Sequence, residues 1–303
     1  MLPQRLRTAA LPLAALLLLL VGCSDDDLVA GDPEPTRATD GAEPTPSEPT
    51  DPTTASPTED GGGERTVAVY YVGDTERAGP RLYREFQRGQ GDALTAGVAA
   101  LTGTPLDGDY RTMWDAGQIT SASYEGEIID VVVDPAVRQR PGGMSAAEAR
   151  AAVEQVIYTL QAAVQERAPV QFRTADNPID RVFGVATSEP LANAPMLDVL
   201  SHLNLTSPEQ GSTVDDGVLE ISGVGNSFEA NVGWEIRRGD EVVLDGFATM
   251  AGWMEPKLFP FETTADVSDL PPGDYTLWAT TDDPTGGTEG IGAMTDDKDF
   301  TIE

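Results

Sequence analysis

Residues Ser145 to Arg167 read S-A-A-E-A-R-A-A-V-E-Q-V-I-Y-T-L-Q-A-A-V-Q-E-R. Ser145 and Glu148 make a capping box, in which the serine oxygen accepts from the backbone N–H three residues on while the glutamate reaches back. Behind it Val153, Val156, Ile157, Leu160 and Val164 recur at helical spacing. The spacing predicts a helix running to about Arg167, with one apolar stripe that must cover a sheet.

The neighbouring segments supply that sheet. Upstream, Thr66 to Val72 (T-V-A-V-Y-Y-V) and Glu127 to Asp134 (E-I-I-D-V-V-V-D) are β-branched runs that read as strands. Between them, Asp92 to Leu101 places Leu94, Val98 and Leu101 at helical spacing behind an Asp cap. Downstream, Val170 to Arg173 and Arg181 to Val185 read as closing strands. Strands and helices alternating in this way predict a mixed α/β layer over residues 66–186. Residues 187–201, rich in Pro and Ala, read as a connector.

From residue 202 to 303 the period changes to two. Leu203 to Leu205, Val218 to Ile221, Ala230 to Ile236, Glu241 to Leu244, Tyr275 to Ala279 and Phe300 to Ile302 read as short strands. Arg238-Gly239-Asp240 and Pro271-Pro272-Gly273-Asp274 read as turns. Such spacing predicts an all-β sandwich. The fold class is therefore α+β with two domains, a mixed α/β domain followed by an immunoglobulin-like β-sandwich.

V-A-V-Y-Y-V (67–72), A-L-T-A-G-V-A-A-L (93–101), I-I-D-V-V-V-D (128–134) and A-V-E-Q-V-I-Y-T-L (152–160) before V-Q-F resemble the sporulation and spore-germination GerMN domain. Asp176-Asn177-Pro178 stands where a glycine is usual after the V-Q-F strand. Ser207 to Val214 (S-P-E-Q-G-S-T-V), Ile221-Ser222-Gly223, Phe228 to Val232 and Pro272 to Leu277 (P-G-D-Y-T-L) resemble the immunoglobulin-like domain of bacterial spore-germination proteins. The resemblance implies a disulfide-free sandwich of cell-surface proteins, often paired with a GerMN domain and without an assigned catalytic residue.

Residues 1–22 read as a lipoprotein signal peptide: Arg5 and Arg7 make a positive start, Ala9 to Val21 an apolar run, and Leu20-Val21-Gly22-Cys23 resembles a bacterial lipobox. About 13 apolar residues are too few for a bilayer core of about 30 Å. Cys23 is the only cysteine, and the reading makes it the acylated N-terminus of the mature chain, a palmitate-type lipid anchor on the extracytoplasmic face of the cell membrane. An ordinary cleaved signal with an incidental thiol is the alternative. Residues 23–65 are acidic and rich in Pro and Thr, and read as a disordered linker that spans about 120 Å at about 3.1 Å per residue when fully stretched.

Beyond the signal stand 17 basic against 51 acidic side chains, a net charge of −34. Lys257 and Lys298 are the only lysines, and no basic run concentrates positive charge, so nucleic acid is excluded as a partner. The Arg-over-Lys bias with abundant Ala, Gly and Asp suits a high-GC genome such as an actinobacterium's, and a salt-adapted organism would give similar acidity. No glycine-rich phosphate loop supports a nucleotide, and no cofactor is expected. His202 is the only histidine, so neither a Ser-His pair with Ser201 nor a zinc site is supported; no catalytic and no metal residue is assigned. Asp282, Asp283, Glu289, Asp296 and Asp297 offer oxygens of the kind calcium takes but lack its loop spacing, and read as solvated loop charge.

Trp234 and Trp278 lie in alternating strands and read as core. Trp253, in the bend A-G-W-M-E-P (251–256), is the candidate contact surface. The expectation is a non-enzymatic envelope-binding lipoprotein, its partners membrane lipid through Cys23 and an envelope protein or peptidoglycan and wall polymer. One alternative is a peptidoglycan hydrolase using Glu125, Glu127 and Asp130, because glycoside cleavage needs two carboxyls about 5–10 Å apart. Another is a regulatory lipoprotein acting on a sensor kinase.

Overall fold

The computed structural model describes residues 63–303, apart from Met254, Pro284 and Gly287; Cys23 and the linker to residue 62 lie outside the described residues. β1 (Glu64–Thr75) and β2 (Gly79–Gln90) form a long antiparallel hairpin, with Glu64 opposite Gln90 and Thr75 opposite Gly79. Thr75 closes the turn, its Oγ1 accepting from the Ala78 N–H at 2.9 Å. β2 escaped the sequence reading because R-L-Y-R-E-F carries three charges; Leu82 and Tyr83 are nevertheless buried, and so is Glu85.

α1 (Ala93–Leu101) starts where the Asp92 carboxylate accepts from the Thr95 N–H at 2.8 Å. β3 (Ile119–Tyr124) and β4 (Ile129–Val133) are antiparallel, and β4 runs parallel to β5 (Val170–Arg173). A parallel pair needs a crossover, and α2 (Ala146–Val164) supplies it. Its capping box is formed as the sequence implies: Glu148 N–H donates to Ser145 Oγ at 3.1 Å, and Ser145 N–H to Glu148 Oε2 at 2.8 Å. The helix stops short of Arg167 because Gln165 turns left-handed, with φ 58°.

Val153, Val156, Ile157 and Leu160 are buried, and Trp114 anchors the same core by donating its Nε1–H to the Ala152 carbonyl at 2.9 Å. The single strand read at Arg181 to Val185 is in fact a tiny hairpin, β6 (Arg181–Val182) and β7 (Val185–Ala186), turned at Phe183 and Gly184. At Asp176-Asn177-Pro178, where the resemblance leads one to expect a glycine, Thr174 N–H donates to the Asn177 carbonyl at 2.8 Å and closes the loop.

α3 (Met196–Val199) is one short turn leading into the sandwich. One sheet has the order β13-β10-β8, built from β8 (Leu203–Ser207), β10 (Val218–Gly225) and β13 (Phe259–Asp266). The other has the order β12-β11-β14-β15-β9, with β9 (Ser212–Val214) parallel to β15 (Thr295–Ile302). Its remaining strands are β11 (Asn231–Arg238), β12 (Glu241–Thr249) and β14 (Gly273–Thr281).

β13 was not foreseen: Pro260 lies inside it, and proline is tolerated there because β13 is an edge strand whose one full strand partner is β10, with only an isolated bridge from Phe261 to Met250 besides. Trp234 is buried as expected, lying so close to Gly246 of β12 that a Cβ there would stand 2.3 Å from its ring. No helix among the described residues is long and apolar enough to cross a membrane.

Candidate functional site

The two domains meet along β2 and β8. Ser201 N–H donates to the Leu82 carbonyl and Arg84 N–H to Asn204 Oδ1, each at 2.9 Å, while Val72, Leu82, Tyr158 and Leu200 form a small apolar cluster beside them. Next to this cluster lies a buried polar network. Lys298 Nζ donates to Asp107 Oδ2 at 2.5 Å, to the Tyr110 hydroxyl at 2.9 Å and to Asp296 Oδ1 at 3.4 Å. Asp296 also accepts from Leu205 N–H at 2.6 Å and from the Tyr110 hydroxyl. Asp107 and Tyr110 belong to the loop after α1, Asp296 and Lys298 to β15, so the network crosses the seam.

All four side chains are at most 7% exposed. Each polar atom therefore needs its partner, since an unpaired buried charge costs several kcal/mol. Burial alone would lower the pKa of Lys298, but Asp296 and Asp107 outweigh it and hold the ammonium above its ordinary value. Burial raises Asp296, against the pull of Lys298 and Tyr110. Glu85 fixes the loop, accepting from Leu106 N–H at 3.0 Å and Asp107 N–H at 2.8 Å. The Tyr83 and Tyr110 rings stack at 4.8 Å.

Two cavities open on this seam. One of about 320 Å³ lies between Arg84, Phe86, Leu106 and the Leu205 to Gln210 segment. The other, about 190 Å³, is acidic: Asp74, Asp109 and Asp297 face Tyr83, Tyr110 and Trp278. Carboxylate oxygens of Asp107, Asp109 and Asp297 lie within 4.8 Å of one another, hard donors of the kind that calcium or magnesium takes. Asp107 already serves Lys298, and burial, followed by repulsion from Asp109, Asp107 and Asp296, pushes Asp297 up to about 7.

Reading Asp296 and Asp297 as solvated loop charge was wrong. Both lie in β15, where Asp296 and Lys298 are in phase with the core residues Phe300 and Ile302. That alternation, in a chain with two lysines, was the signal available in the sequence. Asp282 and Asp283 stay in the long loop, Asp283 accepting from Thr285 N–H at 2.9 Å. Trp278 is not core either: it is half-buried on the outer face of its sheet, with the Arg237 guanidinium 4.4 Å over its ring.

Glu125 and Glu127 sit exposed in the connection between β3 and β4, and β4 begins at Ile129, not at Glu127. Asp130 pairs with Arg173 at 3.4 Å. Ser201 is fully buried and its Oγ accepts from Leu203 N–H, while His202 directs Nε2 at the Leu197 carbonyl, 2.9 Å away. The two side chains make no nucleophile and base pair. Burial lowers the His202 pKa.

Trp253 is 38% exposed and meets Phe228, 46% exposed, edge to face at 5.5 Å. The segments carrying them are fixed. Asn226 Nδ2 donates to the Glu255 and Lys257 carbonyls at 2.9 and 2.8 Å, and the turn after Phe228 places Glu229 and Ala230 at φ 57° and 60°, a region non-glycine residues seldom adopt.

A search of curated proteins returned no match. Two solved structures resemble the chain weakly, both at 14% identity. One is an engineered protein, with 50% of this chain and 36% of that chain covered and a TM-score of 0.27. The other is a modular endo-β-1,4-mannanase from Cellulomonas fimi, with 57% and 39% covered and a TM-score of 0.26. The chain thus spans well under half the length of either. The family models are more informative: that for sporulation and spore germination matches residues 68–180, and that for the immunoglobulin-like domain of bacterial spore germination matches residues 202–288. The chain therefore carries a sporulation and spore germination domain followed by an immunoglobulin-like domain of bacterial spore germination.

Proposed function

We propose that the protein is a non-enzymatic lipoprotein of the cell envelope, held by an acylated Cys23 to the extracytoplasmic face of the membrane and acting by contact with an envelope protein or wall polymer. The observation that supports a binding role is the pair Trp253 and Phe228. Two large aromatic rings left in solvent by a fixed scaffold offer stacking faces for sugar rings or an apolar anchor for a protein partner. The lipid supplies membrane affinity, at about 0.8 kcal/mol per buried methylene, that a surface this acidic cannot gain from anionic headgroups.

Co-sedimentation of the full chain with isolated envelope tests the contact. Trp253→Ala, an exposed truncation, should lower the bound fraction severalfold with the fold intact, and unchanged binding would remove the support. Cys23→Ser should release the protein from membranes; full retention contradicts the anchor. A clearing zone in a zymogram, lost in Glu125→Gln or Glu127→Gln, would replace the binding reading with hydrolysis.

A further inference from the structure

The nine-residue strand β12 (241–249, E-V-V-L-D-G-F-A-T) lies at the rim of the five-stranded sheet and pairs along its length only with β11. Just past its end the Met250 N–H donates to the Ala230 carbonyl at 2.8 Å. In an antiparallel ladder successive residues direct their backbone groups toward the partner strand and away from it in turn. Counting back from that bond through the regular register, the N–H and C=O groups of Asp245 and Phe247 point out of the sheet. Among the described residues none of these four groups has a hydrogen-bond partner.

Edge strands ordinarily guard such groups with proline, with lysine or by being short. β13 carries Pro260 and β9 has only three residues, whereas β12 is long and holds neither a proline nor a basic residue. Its one guard is a bulge at Val243, which leaves Leu244 to Thr249 regular. On that regular stretch Phe247 is 70% exposed, more than any other large apolar side chain among the described residues. It stands opposite Gly233, so no cross-strand side chain covers its ring on that side. Asp245, on the same outer face, and Glu241 are exposed, and among the described residues neither has an ion pair. The basic residues of β11 are committed elsewhere: Arg237 pairs with Glu235 at 2.5 Å, and Arg238 lies 5.5 Å over the Tyr275 ring. The free edge therefore combines unpaired backbone, one bare ring and uncompensated negative charge.

We propose that β12 is the docking edge for an extended, basic segment of a partner protein, which adds to this sheet as a further strand. The segment's backbone satisfies the outward groups of Asp245 and Phe247, a lysine or arginine opposite Asp245 meets its carboxylate, and an apolar side chain two residues away packs on the Phe247 ring. A second copy of this chain fits poorly, because it would set the Glu241 and Asp245 carboxylates of one acidic edge against those of another. The inference deepens the envelope-contact reading by giving the chemistry of the partner, and it uses residues other than Trp253 and Phe228.

Calorimetric titration of the full chain at low salt with the acetylated and amidated peptide T-K-V-V-V-K-T, and with T-E-V-V-V-E-T, tests it. Saturable binding of the lysine peptide is expected, tighter than the glutamate peptide by about tenfold or more, and Asp245→Lys should reverse that preference. The lysine peptide N-methylated at alternate residues keeps its charge and side chains but loses its donors to the edge, so it should bind about tenfold or more weakly. Phe247→Pro should lose binding to the same extent; the N–H it removes points out of the sheet, so the ladder to β11 is kept and the variant should fold. Trp253→Ala should bind the peptide as wild type, so loss of envelope binding in that variant and loss of peptide binding in Phe247→Pro are separate results. No saturable binding of the lysine peptide, equal binding of its N-methylated form, full binding by Phe247→Pro or a preference unchanged in Asp245→Lys would overturn the proposal. Concentration-dependent dimerisation of the peptide-free chain that Phe247→Pro abolishes would also overturn it, giving the edge to a second copy.

Discussion

The two lysines of this chain make the same kind of ion pair in opposite surroundings. Lys298 meets Asp107 at 2.5 Å with both side chains about 5% exposed, whereas Lys257 meets Glu255 at 3.0 Å with both more than half exposed. Bond length does not separate them; water does. At the rim, solvent screens the pair and each partner can be rehydrated, so the pair contributes little. At the seam, neither charge can be left alone, and the pair becomes a condition for the two domains to stay docked. The rim is free to evolve contacts, while the seam is committed to holding two modules together.

The largest expected effect comes from breaking the seam. Lys298→Met leaves Asp107 and Asp296 facing each other without a cation, and should cost about 3–5 kcal/mol in denaturant unfolding. Loss of less than about 1 kcal/mol would mean that the carboxylates take up protons or water at little cost, and the contrast with Lys257 would collapse. Next in size is Gly246→Ala, which places a methyl group 2.3 Å from the Trp234 ring inside the sandwich. About 1–3 kcal/mol should be lost there, and with the seam intact the α/β domain should unfold together with the weakened sandwich.

A smaller, pH-dependent effect belongs to Asp297. Its folded pKa, about 7, stands above the ordinary carboxylate value, so between about pH 4 and 7 the native state binds the extra proton. Stability from this group is therefore present at the acid end of that window and lost as pH rises through 7. Asp297→Asn should flatten the fall in urea midpoint between pH 5 and 8 and raise stability at pH 8, on the order of 1 kcal/mol after solvent screening. The smallest effect is expected at the rim: Lys257→Ala should change stability by less than about 1 kcal/mol, and less still in high salt.

Much of the fold was legible in the sequence, because burial in this protein follows periodicity where the residues are apolar. The capping box at Ser145 and the stripe from Val153 to Leu160 placed α2, and alternation placed most of the sandwich. What escaped were elements whose burial is polar or whose punctuation misleads. β2 is buried despite its arginines, β13 is a strand despite Pro260, and β6 and β7 turn at Phe183 and Gly184, inside a run whose flanking valines read as one strand.

The candidate sites escaped for a related reason. Asp107, Tyr110, Asp296 and Lys298 are brought together by topology across about 190 residues, as the Lys298 to Asp107 bond shows. Among the sequence-based candidates, Trp253 does lie at the surface, with Phe228 as a partner that linear spacing could not supply.

The central claim is that the buried network makes the two domains one cooperative body. Hydrogen exchange of the full chain across a denaturant series, read by mass spectrometry separately for α1 and α2 and for β11 and β14, tests it most directly. Coincident loss of protection in both regions is expected for wild type, separating into two transitions in Lys298→Met. Two separate transitions in wild type would contradict the claim.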